Sequence, residues 1–582
     1  MKHRSHKQWI VRGYDKAASA ELARRLGTSR TIAGLLTARG ITDEAAAQRF
    51  LHPALDHLHD PLLMLGMSQA VERILRAVDR GERVLIYGDY DVDGTTGTVI
   101  LRRALQLLGA HTGYHIPHRF TEGYGVHKAA LARASAEGYK LVISVDCGIR
   151  AHEALAWAVT RNLDCIVTDH HLPDPECGPP PAHAVVNPNQ KGCPYPDKNL
   201  AGVGVAFKLV HALLRARGHE DLVPGFLKVV AIGTVADVVS LTGENRIIVA
   251  LGLADLLKAT NPGLRALMEL AGLRESPRAV DLGFRIGPRI NAAGRMDAAV
   301  KVVELFEATT ALEAQALAQQ LEARNRERKV MQDEITQRAL REVEASADAS
   351  SDGSRARVAV VVGEDWHRGV IGLAASKIAE RLNRPTIVIS LDGDTGHGSA
   401  RSIDAYHLLD GLTSCADLME RFGGHAHAAG LVIKREHIPE LRRRLNKHAD
   451  MHLSDADLVP VLHVDAELIA EELTLDFVDQ LDQLEPFGAG WARPVFVTRN
   501  LRMVGQPRVL KERHLKICVA DAHGHSMEAL WWGGAETGET QTFGTSELVD
   551  LAYQVEKNTW RGETRLQLIV RDLHSAHGGG VH

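Results

Sequence analysis

The chain has 582 residues, of which 45% are hydrophobic and 24% charged, and its length predicts three or four domains at about 150 residues each. Its formal net charge of −5 excludes a uniformly basic nucleic-acid coat, so contacts with a polyanion must use local clusters of Arg and Lys. The sequence contains no run of about 18 apolar residues, which argues against a membrane span, and no apolar signal segment follows its basic N-terminus, which predicts a cytoplasmic protein.

Residues 1–75 predict an N-terminal helical extension. Short apolar runs separated by helical segments then predict an α/β domain over residues 76–297. Because these runs are apolar throughout, we expect a parallel sheet that is covered by helices on both faces. The four clearest runs are residues 84–87, 141–145, 165–168 and 184–186.

Residues 298–354 predict a connector, with long helices over residues 298–345, which contain no Gly or Pro, and then a polar linker. A second, smaller α/β domain is expected over residues 355–450. Alternating short strands over residues 458–575, with a hairpin turn at residues 561–563, predict a small antiparallel barrel. Residues 574–582 are predicted to be disordered.

Acidic residues follow the first apolar run at alternate positions, as Asp89, Asp91 and Asp93. On an extended segment, three such side chains project to one side. They raise each other's pKa unless a cation neutralises them. The alternative is a solvated acidic turn, whereas an EF-hand is disfavoured because Ile100 stands where its ligand Glu is needed.

Two further apolar runs end in Asp146 and in Asp169-His170-His171. Since ligands bind beyond the carboxyl ends of parallel strands, we expect these side chains to converge. Asp237 adds another carboxylate, although it could instead cap a helix. The alternative for the two histidines is a structural role, with their ring nitrogens hydrogen-bonded in the core or at the surface.

Carboxylate and imidazole ligands without thiolate favour Mn²⁺ or Mg²⁺. About six candidate ligands leave room for two ions that act on a phosphoester. A zinc site at Cys177 and Cys193 is disfavoured, because the six cysteines lack the short spacing of structural zinc ligands. The sequence has neither a G-x-x-x-x-G-K-[ST] loop nor a G-x-S-x-G elbow, so hydrolysis of a phosphoester is the favoured reaction.

These acidic and histidine motifs resemble those of a known family. Four ordered motifs are similar to those of the DHH phosphoesterases: residues 89–94, 145–149, 168–171 and 233–237. Other segments resemble the RecJ family of bacterial single-strand-specific exonucleases, including its DHHA1 domain and OB-fold: residues 187–189, 200–206, 287–295, 366–372, 398–402, 423–430 and 484–488. The resemblance extends over about residues 50–575.

The resemblance implies a role for each matching residue. It implies five metal ligands, with Asp146 bridging two ions: Asp91, Asp93, Asp146, His170 and Asp237. It places His171 beside the scissile phosphate and makes Asp89 a catalytic residue, either as an accessory metal ligand or as a support for the other ligands. It also implies a pocket for a 5′-phosphate, formed by Arg119, Arg289, Ser399 and Arg401, and a substrate contact at His425. Structural ion pairs are the alternative for the arginines, and a core position is the alternative for His425.

The function that the resemblance implies is a 5′-to-3′ exonuclease that releases 5′-mononucleotides from single-stranded DNA during repair and recombination. It implies Mn²⁺ or Mg²⁺ as cofactor and a cleft between the two α/β domains as the site of chemistry. It also implies a monomer, with a single-strand-binding protein and a helicase as candidate partners. The barrel and the N-terminal extension argue against a short-substrate phosphodiesterase or a pyrophosphatase of the same superfamily. The complete set of acids argues against an inactive nucleic-acid scaffold.

Basic and aromatic residues of the barrel predict a platform for single strands, with an aromatic core as the alternative. The basic residues are Arg508, Lys511, Arg513, His514 and Lys516, and the aromatic ones are Trp531, Trp532, Tyr553 and Trp560.

The sequence departs from the family pattern at one place, directly after residues 484–488. Gly490-Trp491-Ala492 stands where family members carry Gly-Asn-Pro, which leaves the contacts of that segment open.

Overall fold

The structure is a computed structural model that describes residues 7–296, 298–348, 356–537 and 547–576. The helices are α1 Lys16–Leu26, α2 Arg30–Thr37, α3 Glu44–Leu51, α4 Met67–Asp79, α5 Val92–Leu107, α6 Lys128–Ala136, α7 His152–Val159, α8 Gly202–Ala216, α9 Leu227–Ala236, α10 Gly243–Asp255, α11 Pro262–Ala271, α12 Ala279–Asp281, α13 Gly287–Arg295, α14 Val300–Glu307, α15 Ala311–Asp348, α16 Arg368–Leu382, α17 Leu408–Thr413, α18 Ile438–His452 and α19 Leu475–Asp482. The strands are β1 Gln8–Val11, β2 Arg83–Gly88, β3 His111–His115, β4 Leu141–Val145, β5 Asp164–Thr168, β6 Ala184–Val186, β7 Ala359–Glu364, β8 Thr386–Asp392, β9 Thr395–Arg401, β10 Met419–Gly424, β11 Ala428–Lys434, β12 Val461–Val464, β13 Ala466–Glu467, β14 Phe496–Met503, β15 Arg508–Leu510, β16 His514–Ala520, β17 Ser526–Trp531, β18 Leu548–Trp560 and β19 Glu563–Ser575.

The chain divides into two compact units. The parallel-sheet unit contains residues 49–328 and 484–492, and the mixed-sheet unit contains residues 1–48, 329–483 and 493–582. Helix α15 begins in the first of these and ends in the second.

The parallel-sheet unit is built on a five-stranded sheet with the order β3-β2-β4-β5-β6. Its neighbouring strands are parallel throughout. Strand β4 is buried at every position and β2 at all but its first, as expected for a sheet that is covered on both faces. The four apolar runs of the sequence are confirmed as β2, β4, β5 and β6. Strand β3 was not predicted, because His111–His115 is only partly buried and lacks an apolar run.

Helices cover both faces of this sheet. Helices α4, α5 and α8 pack on one face in a core that includes Ile86, Ile143 and Phe207. Helices α6 and α7 contribute to a core on the other face, which includes Leu131 and Leu155. A further core is formed largely by α9 to α14 and by the first turns of α15. The two-faced parallel sheet predicted from the sequence is confirmed.

No single helix within the described ranges is long and apolar enough to cross a membrane. Helices α10 and α11, with a bend of 92° between them, pass such a test only as a pair. Both bury apolar side chains in the core of the parallel-sheet unit, among them Val249 and Leu267.

The mixed-sheet unit contains a five-stranded sheet with the order β10-β11-β9-β8-β7. Only β7 and β8 are parallel in this sheet. Strands β8, β9, β11 and β10 follow one another as antiparallel neighbours. Helices α16, α17 and α18 flank it, and its core includes Ile389, Leu431 and Leu441. The predicted second α/β domain is therefore confirmed, with a mixed sheet.

The C-terminal strands close into a barrel. Strands β14, β18, β19, β17 and β16 pair in that order, and β16 also pairs with β14, which closes the ring. The prediction of antiparallel strands is correct for most pairs of this sheet but wrong for two, since β17 and β19 are parallel and so are β13 and β14. The predicted hairpin is confirmed, since Arg561 and Gly562 join β18 to β19 with φ of 52° and 83°, as a two-residue type I′ turn requires.

Three boundaries predicted from the sequence need correction. The N-terminal extension is not wholly helical, because β1 pairs in parallel with β12, about 450 residues away. Helix α15 continues to Asp348, into the predicted linker, and the rest of that linker, residues 349–354, lies outside the described residues. His574 and Ser575 belong to β19 rather than to a disordered tail, whose residues 577–582 also lie outside the description.

Trp491, which departs from the family pattern, is a core residue of the parallel-sheet unit. Its side chain is 2% exposed, its Nε1 donates to the Leu484 carbonyl at 3.0 Å, and its ring lies 4.4 Å from that of Phe50. The guanidinium of Arg246 stacks on Phe50 at 3.5 Å and donates to the carbonyls of residues 484–486. Segment 484–492 is thus packed into this unit by an arginine and two aromatic rings.

Candidate metal centre and active site

The first acidic motif connects strand β2 to helix α5. Asp89 directly follows the strand, and Asp91 is the N-cap of α5, where its carboxylate accepts from the amide of Gly94 at 3.0 Å. Asp93 lies in the first helical turn. The expectation of three aspartates on one extended segment is therefore wrong. The helix begins at Val92 because Asp91 satisfies one of its free amide groups.

Asp93 reaches the start of a second helix. Its Oδ2 accepts from the amide of Gly202 at 2.6 Å, and its Oδ1 accepts from that of Val203 at 2.7 Å. Both amides belong to the first turn of α8, where free N–H groups favour negative charge. A Cβ at position 202 would lie 2.5 Å from Oδ1 of Asp146, so only glycine permits this close approach.

Asp146 and His170 bring the ends of two neighbouring strands together. Asp146 follows β4 with a φ of 61°, a left-handed conformation that an aspartate tolerates better than most residues. Its Oδ1 lies 3.3 Å from Nε2 of His170, which follows β5. The same Nε2 lies 3.8 Å from Oδ2 of Asp93 and 3.7 Å from Oδ2 of Asp237. The convergence of three strand ends expected from the sequence is confirmed.

Asp237 occupies the C-terminal cap position of α9. A carboxylate is not expected to stabilise that end of a helix, because the carbonyls there already carry negative partial charge. Its side chain instead approaches His170.

Asp169 holds His171 in place. Its Oδ1 lies 2.7 Å from Nδ1 of His171 and accepts from the amides of both His170 and His171, while its Oδ2 accepts from the amide of Ile149. This arrangement favours a proton on Nδ1 of His171 and leaves Nε2 for another partner. Asp169 is fully buried, whereas His171 is 46% exposed, so a buried carboxylate orients a solvent-accessible imidazole.

Three residues that support the histidines were not assigned this role from the sequence. The hydroxyl of Tyr124 lies 3.2 Å from Nδ1 of His171. The side-chain amides of Asn187 and Asn189 donate to the carbonyls of His171 and His170 at 2.9 and 2.7 Å. Asn-Pro-Asn directly after β6 is visible in the sequence as a motif, but only the fold shows that both side-chain amides hold the histidine backbone.

The donor atoms form overlapping groups that fit divalent cations. Within each group, one ligand atom per residue lies within 4.8 Å of the others. The groups are Asp89, Asp91 and Asp146; Asp93, His170 and Asp237; and Asp146, His170 and His171. Among the described residues, Oδ1 of Asp89, Oδ1 of Asp146 and Nε2 of His170 are buried and make no hydrogen bond. Buried polar atoms are normally satisfied, and oxygen and imidazole donors of this kind suit Mn²⁺ or Mg²⁺.

The carboxylates of this cluster destabilise one another's charged forms. Burial, followed by the charge of Asp91, raises the pKa of Asp89 to about 8 and that of Asp237 to about 7. Burial together with neighbouring carboxylates raises the pKa of Asp93 and of Asp146 well above the usual range. Like charges this close need a cation for all of them to ionise.

The two histidines have opposite pKa shifts. Burial, then the charge of His171, lowers the pKa of His170 to about 4, so this ring is neutral and can act as a ligand near pH 7. Burial also opposes the charged form of His171, but the hydrogen bond and charge of Asp169 outweigh it and raise its pKa. The neutral ring is thus the one at the centre of the cluster.

Two of the arginines predicted to bind phosphate belong to this unit. Arg119 stacks on the ring of Tyr90 at 4.8 Å, and its charge lowers the pKa of Asp89 against the larger effect of burial, which places it beside the cluster. Arg289 lies with its Nε 2.7 Å from Oε2 of Glu322. This ion pair is the structural alternative that was left open, so a phosphate role for Arg289 requires exchange of a partner.

Ser399, Arg401 and His425 lie in the mixed-sheet unit. Ser399 and Arg401 occupy alternate positions of β9, and Nη1 of Arg401 lies 3.4 Å from Oγ of Ser399. A Cβ at Gly372 would come within 2.9 Å of that hydroxyl, so glycine leaves room beside it. His425 is exposed and accepts from the amide of His427 at 3.3 Å, which excludes the core alternative for its side chain.

The aromatic residues of the barrel separate into two classes. Trp531 and Tyr553 are 5% and 0% exposed and belong to the core, whereas Trp532 and Trp560 are 59% and 72% exposed. Among the basic residues, Arg508, Lys511 and Arg513 are exposed around the β15–β16 turn. Lys516 forms an ion pair with Glu528 at 2.7 Å. The predicted platform for single strands is therefore limited to the exposed residues Trp532, Trp560, Arg508, Lys511 and Arg513.

Three family models match the chain: the DHH family N-terminal domain at residues 83–234, the DHHA1 domain at residues 355–450 and the RecJ OB domain at residues 464–572. The single-stranded-DNA-specific exonuclease RecJ of Bacillus subtilis is 36% identical over 574 residues, which cover 98% of this chain and 71% of that protein. The chain belongs to the RecJ family. The enzyme of the same name from Dickeya dadantii is 36% identical, over 93% of this chain and 95% of its own.

A solved structure shows the same family relationship. RecJ from Thermus thermophilus in complex with Mn²⁺ superposes with a TM-score of 0.84 at 29% identity, covering 98% of this chain and 80% of that one. The same protein has also been solved in complex with Mg²⁺. The family membership and the donor cluster together make this chain a metal-dependent exonuclease.

Proposed function

We propose that this RecJ-family exonuclease degrades single-stranded DNA from its 5′ end, releases 5′-mononucleotides and uses two divalent metal ions, Mn²⁺ or Mg²⁺. The observation that carries the proposal is the pair of adjoining donor groups. Asp89, Asp91 and Asp146 form one group, and Asp93, His170 and Asp237 form the other. Oδ1 of Asp146 lies 3.3 Å from Nε2 of His170 in the second group, which supports a bridging role for Asp146.

The reaction is an in-line hydrolysis at the phosphate that follows the terminal nucleotide. A bond forms between the oxygen of water and phosphorus, and the bond from phosphorus to the 3′-oxygen of the terminal nucleotide breaks. The bound ions supply activation of the water and stabilisation of the leaving oxygen. The cluster residues hold those ions. His171, oriented by Asp169, offers its Nε2 to an oxygen of the scissile phosphate.

Recognition of the 5′ end rests on the arginines and on β9. Guanidinium groups bind phosphate in a bidentate manner, and we assign this role to Arg119 and Arg401, with Ser399 as a hydroxyl donor. His425 is proposed as a further substrate contact. Arg289 would join them after exchanging Glu322 for the phosphate.

The barrel is proposed to hold the strand that awaits cleavage. Its exposed Trp532 and Trp560 offer stacking surfaces that tolerate any base, and exposed basic side chains around residues 508–513 offer contacts to the DNA backbone.

The proposal also includes the domain limits, which are residues 1–75, 76–297, 298–354, 355–450 and 458–575. It further includes a role in DNA repair and recombination, a cytoplasmic location, a monomeric state, and association with a single-strand-binding protein and a helicase.

The test is digestion of long single-stranded DNA labelled at either end, with Mn²⁺ or Mg²⁺, beside duplex DNA and short RNA. The 5′ label should leave at once as a mononucleotide, whereas the 3′ label should remain on a shortening strand. Asp146→Ala should lower the rate by at least about a hundredfold, since loss even of an outer-shell partner of a metal costs up to that factor. The matched control is Asp221→Asn, at an exposed acid of the same unit. Survival of the single-stranded substrate, or early release of the 3′ label, would contradict the proposal.

A further inference from the structure

Val238 has an unusual backbone conformation and directly follows Asp237 of the donor cluster. Helix α9 ends at Ala236, Asp237 caps it, and Val238 has a φ of 65°. This is the left-handed region, where a β-branched side chain is a genuine outlier. The backbone strain of such a residue is of the kind found at ligand contacts and active sites.

At the ends of three other helices the left-handed conformation is adopted by glycine or asparagine. Gly27 and Gly272 follow α1 and α11 with φ of 66° and 65°, and Asn383 follows α16 with a φ of 48°. Within the described part of the chain, the other non-glycine residues with positive φ are Asp, Asn, Ser, Lys, Glu or Arg. Val238 is the one apolar, β-branched member of that set.

Packing does not explain the valine. Its side chain is 71% exposed, so burial returns little of the strain that the side chain imposes. A glycine would adopt the same backbone without that strain. An exposed valine alone needs no explanation, but an exposed valine at a position suited to glycine does.

The surroundings indicate what the side chain contacts. Val238 directly follows Asp237, whose Oδ2 lies 3.7 Å from Nε2 of His170. Two other apolar side chains are exposed beside the cluster. Leu172 follows His171 and is 67% exposed, and Tyr124, which contacts His171, is 50% exposed. Val238 and Leu172 therefore follow residues of the donor cluster directly in the chain, and Tyr124 contacts His171 of that cluster.

We propose that Val238 is a substrate-contacting residue whose isopropyl group packs against the nucleoside next to the scissile phosphate. This inference rests on the proposed exonuclease function. The donor cluster would hold the ions and His171 would face an oxygen of the phosphate, whereas the sugar and base of the same nucleotide offer C–H groups and an aromatic face. An apolar side chain fixed by strain beside Asp237 fits that part of the substrate and limits its movement during attack.

The experiment compares Val238→Gly, Val238→Ala and Val238→Ile with the parent in the full-length protein. Four quantities are measured: the melting temperature, the Mn²⁺ affinity, and kcat and KM on single-stranded DNA. A second substrate carries abasic sugars at its two terminal positions. Val238→Gly should melt no lower than the parent, bind Mn²⁺ equally well and lose about tenfold in kcat/KM, the factor that burial of a valine side chain is worth. Val238→Ala should lie between, and Val238→Ile should keep the parent rate.

The abasic substrate separates the two apolar parts of the nucleoside. If the loss in Val238→Gly vanishes on this substrate, the base is the contact; if it persists, the sugar is. An unchanged kcat/KM in Val238→Gly would overturn the proposal. A parallel fall in Mn²⁺ affinity would also overturn it, since Val238 would then act only by positioning Asp237. Absence of DNA cleavage by the parent would instead refute the proposed function.

Discussion

Nδ1 of His171 lies 2.7 Å from Oδ1 of Asp169, and this one contact distinguishes the two adjacent histidines of the motif. Asp169 accepts from the side chain and the amide of His171 and also from the amide of His170. Nε2 of His170 instead points into the donor cluster, where the nearest carboxylate oxygen is Oδ1 of Asp146 at 3.3 Å. Asp169 thus orients one histidine, while the acids of the donor cluster surround the other.

We expect Asp169→Asn to lower the rate of DNA cleavage by about 10- to 100-fold, as for other residues that orient a ligand or catalytic side chain. The asparagine side chain has the shape of the aspartate, but its NH₂ group would face an N–H donor that the carboxylate now accepts from, such as Nδ1 of His171 or the amide of Ile149. In the metal-free protein it should also lower the pKa of His171, because the carboxylate that raises it is lost. Steady-state kinetics and NMR titration of the imidazole check the two effects. Glu176→Gln, at an exposed nearby acid, is the control, and an unchanged rate in Asp169→Asn would remove the orienting role.

The carboxylates of the donor cluster should contribute less to the stability of the metal-free protein as pH rises from about 4 to 8. The pKa values of Asp237 and Asp89 in the folded state are about 7 and about 8, above the ordinary value of about 3.9 for an unfolded chain. The folded protein therefore holds more protons in this window, so the unfolding free energy decreases as pH increases. Below pH 4 the contribution is fully present, and above pH 8 it is lost.

Thermal unfolding with EDTA and with Mn²⁺ across this pH range measures the effect. Bound Mn²⁺ should remove most of the pH dependence, because the cation replaces the protons. Asp237→Asn should remove part of this fall, so that its metal-free stability decreases less with pH than that of the parent, whereas Asp221→Asn should leave the profile as it is. Equal pH profiles of the parent and Asp237→Asn in EDTA would contradict the assigned burial of like charges.

Trp491→Ala should destabilise the parallel-sheet unit by about 3–5 kcal/mol, the usual cost of removing a buried large aromatic side chain. It removes the ring that packs on Phe50 and the donor to the Leu484 carbonyl. Arg246, whose pKa burial lowers to about 9, would lose part of its cover. Urea unfolding followed by circular dichroism measures the change. Trp560→Ala, at a tryptophan that is 72% exposed, is the matched control and should change stability little.

The parts of this site that could be predicted are the local ones. Apolar runs ending in Asp89, Asp146 and Asp169 predict both the parallel sheet and the edge where the acids meet, because strand direction alone decides that edge. The pairing of Asp93 with the amide of Gly202, and of Arg289 with Glu322, joins residues distant in sequence. No local pattern predicts such pairs.

The strand β1 and the closure of the barrel could not be predicted for the same reason. Strand β1 is a short, largely exposed strand whose partner lies in β12, and the parallel pair β17 and β19 is separated in the chain by β18. Hairpins have a turn signal in the sequence, as Arg561-Gly562 does, but a parallel neighbour has none.

The basic side chains around the β15–β16 turn should determine the salt dependence of DNA binding. Arg508 and Lys511 are exposed, and each cation that contacts a phosphate of a single strand contributes about 0.7 to the slope of log K against log salt. The double variant Arg508→Ala, Lys511→Ala should reduce that slope by about 1.4 and weaken binding equally for all base sequences. Fluorescence anisotropy at several salt concentrations, with a catalytically inactive Asp146→Ala background, measures it.

Lys516→Ala is the matched control for this prediction, because Lys516 already pairs with Glu528 at 2.7 Å. Its removal should change the slope by less than one exposed cation does. Trp532→Ala should differ from both the double variant and Lys516→Ala. Loss of a stacking ring lowers the affinity for DNA by about 1–3 kcal/mol without changing the salt slope. If the double variant keeps the parent slope, the strand does not pass over the β15–β16 turn, and the exposed tryptophans would then have to act without these cations.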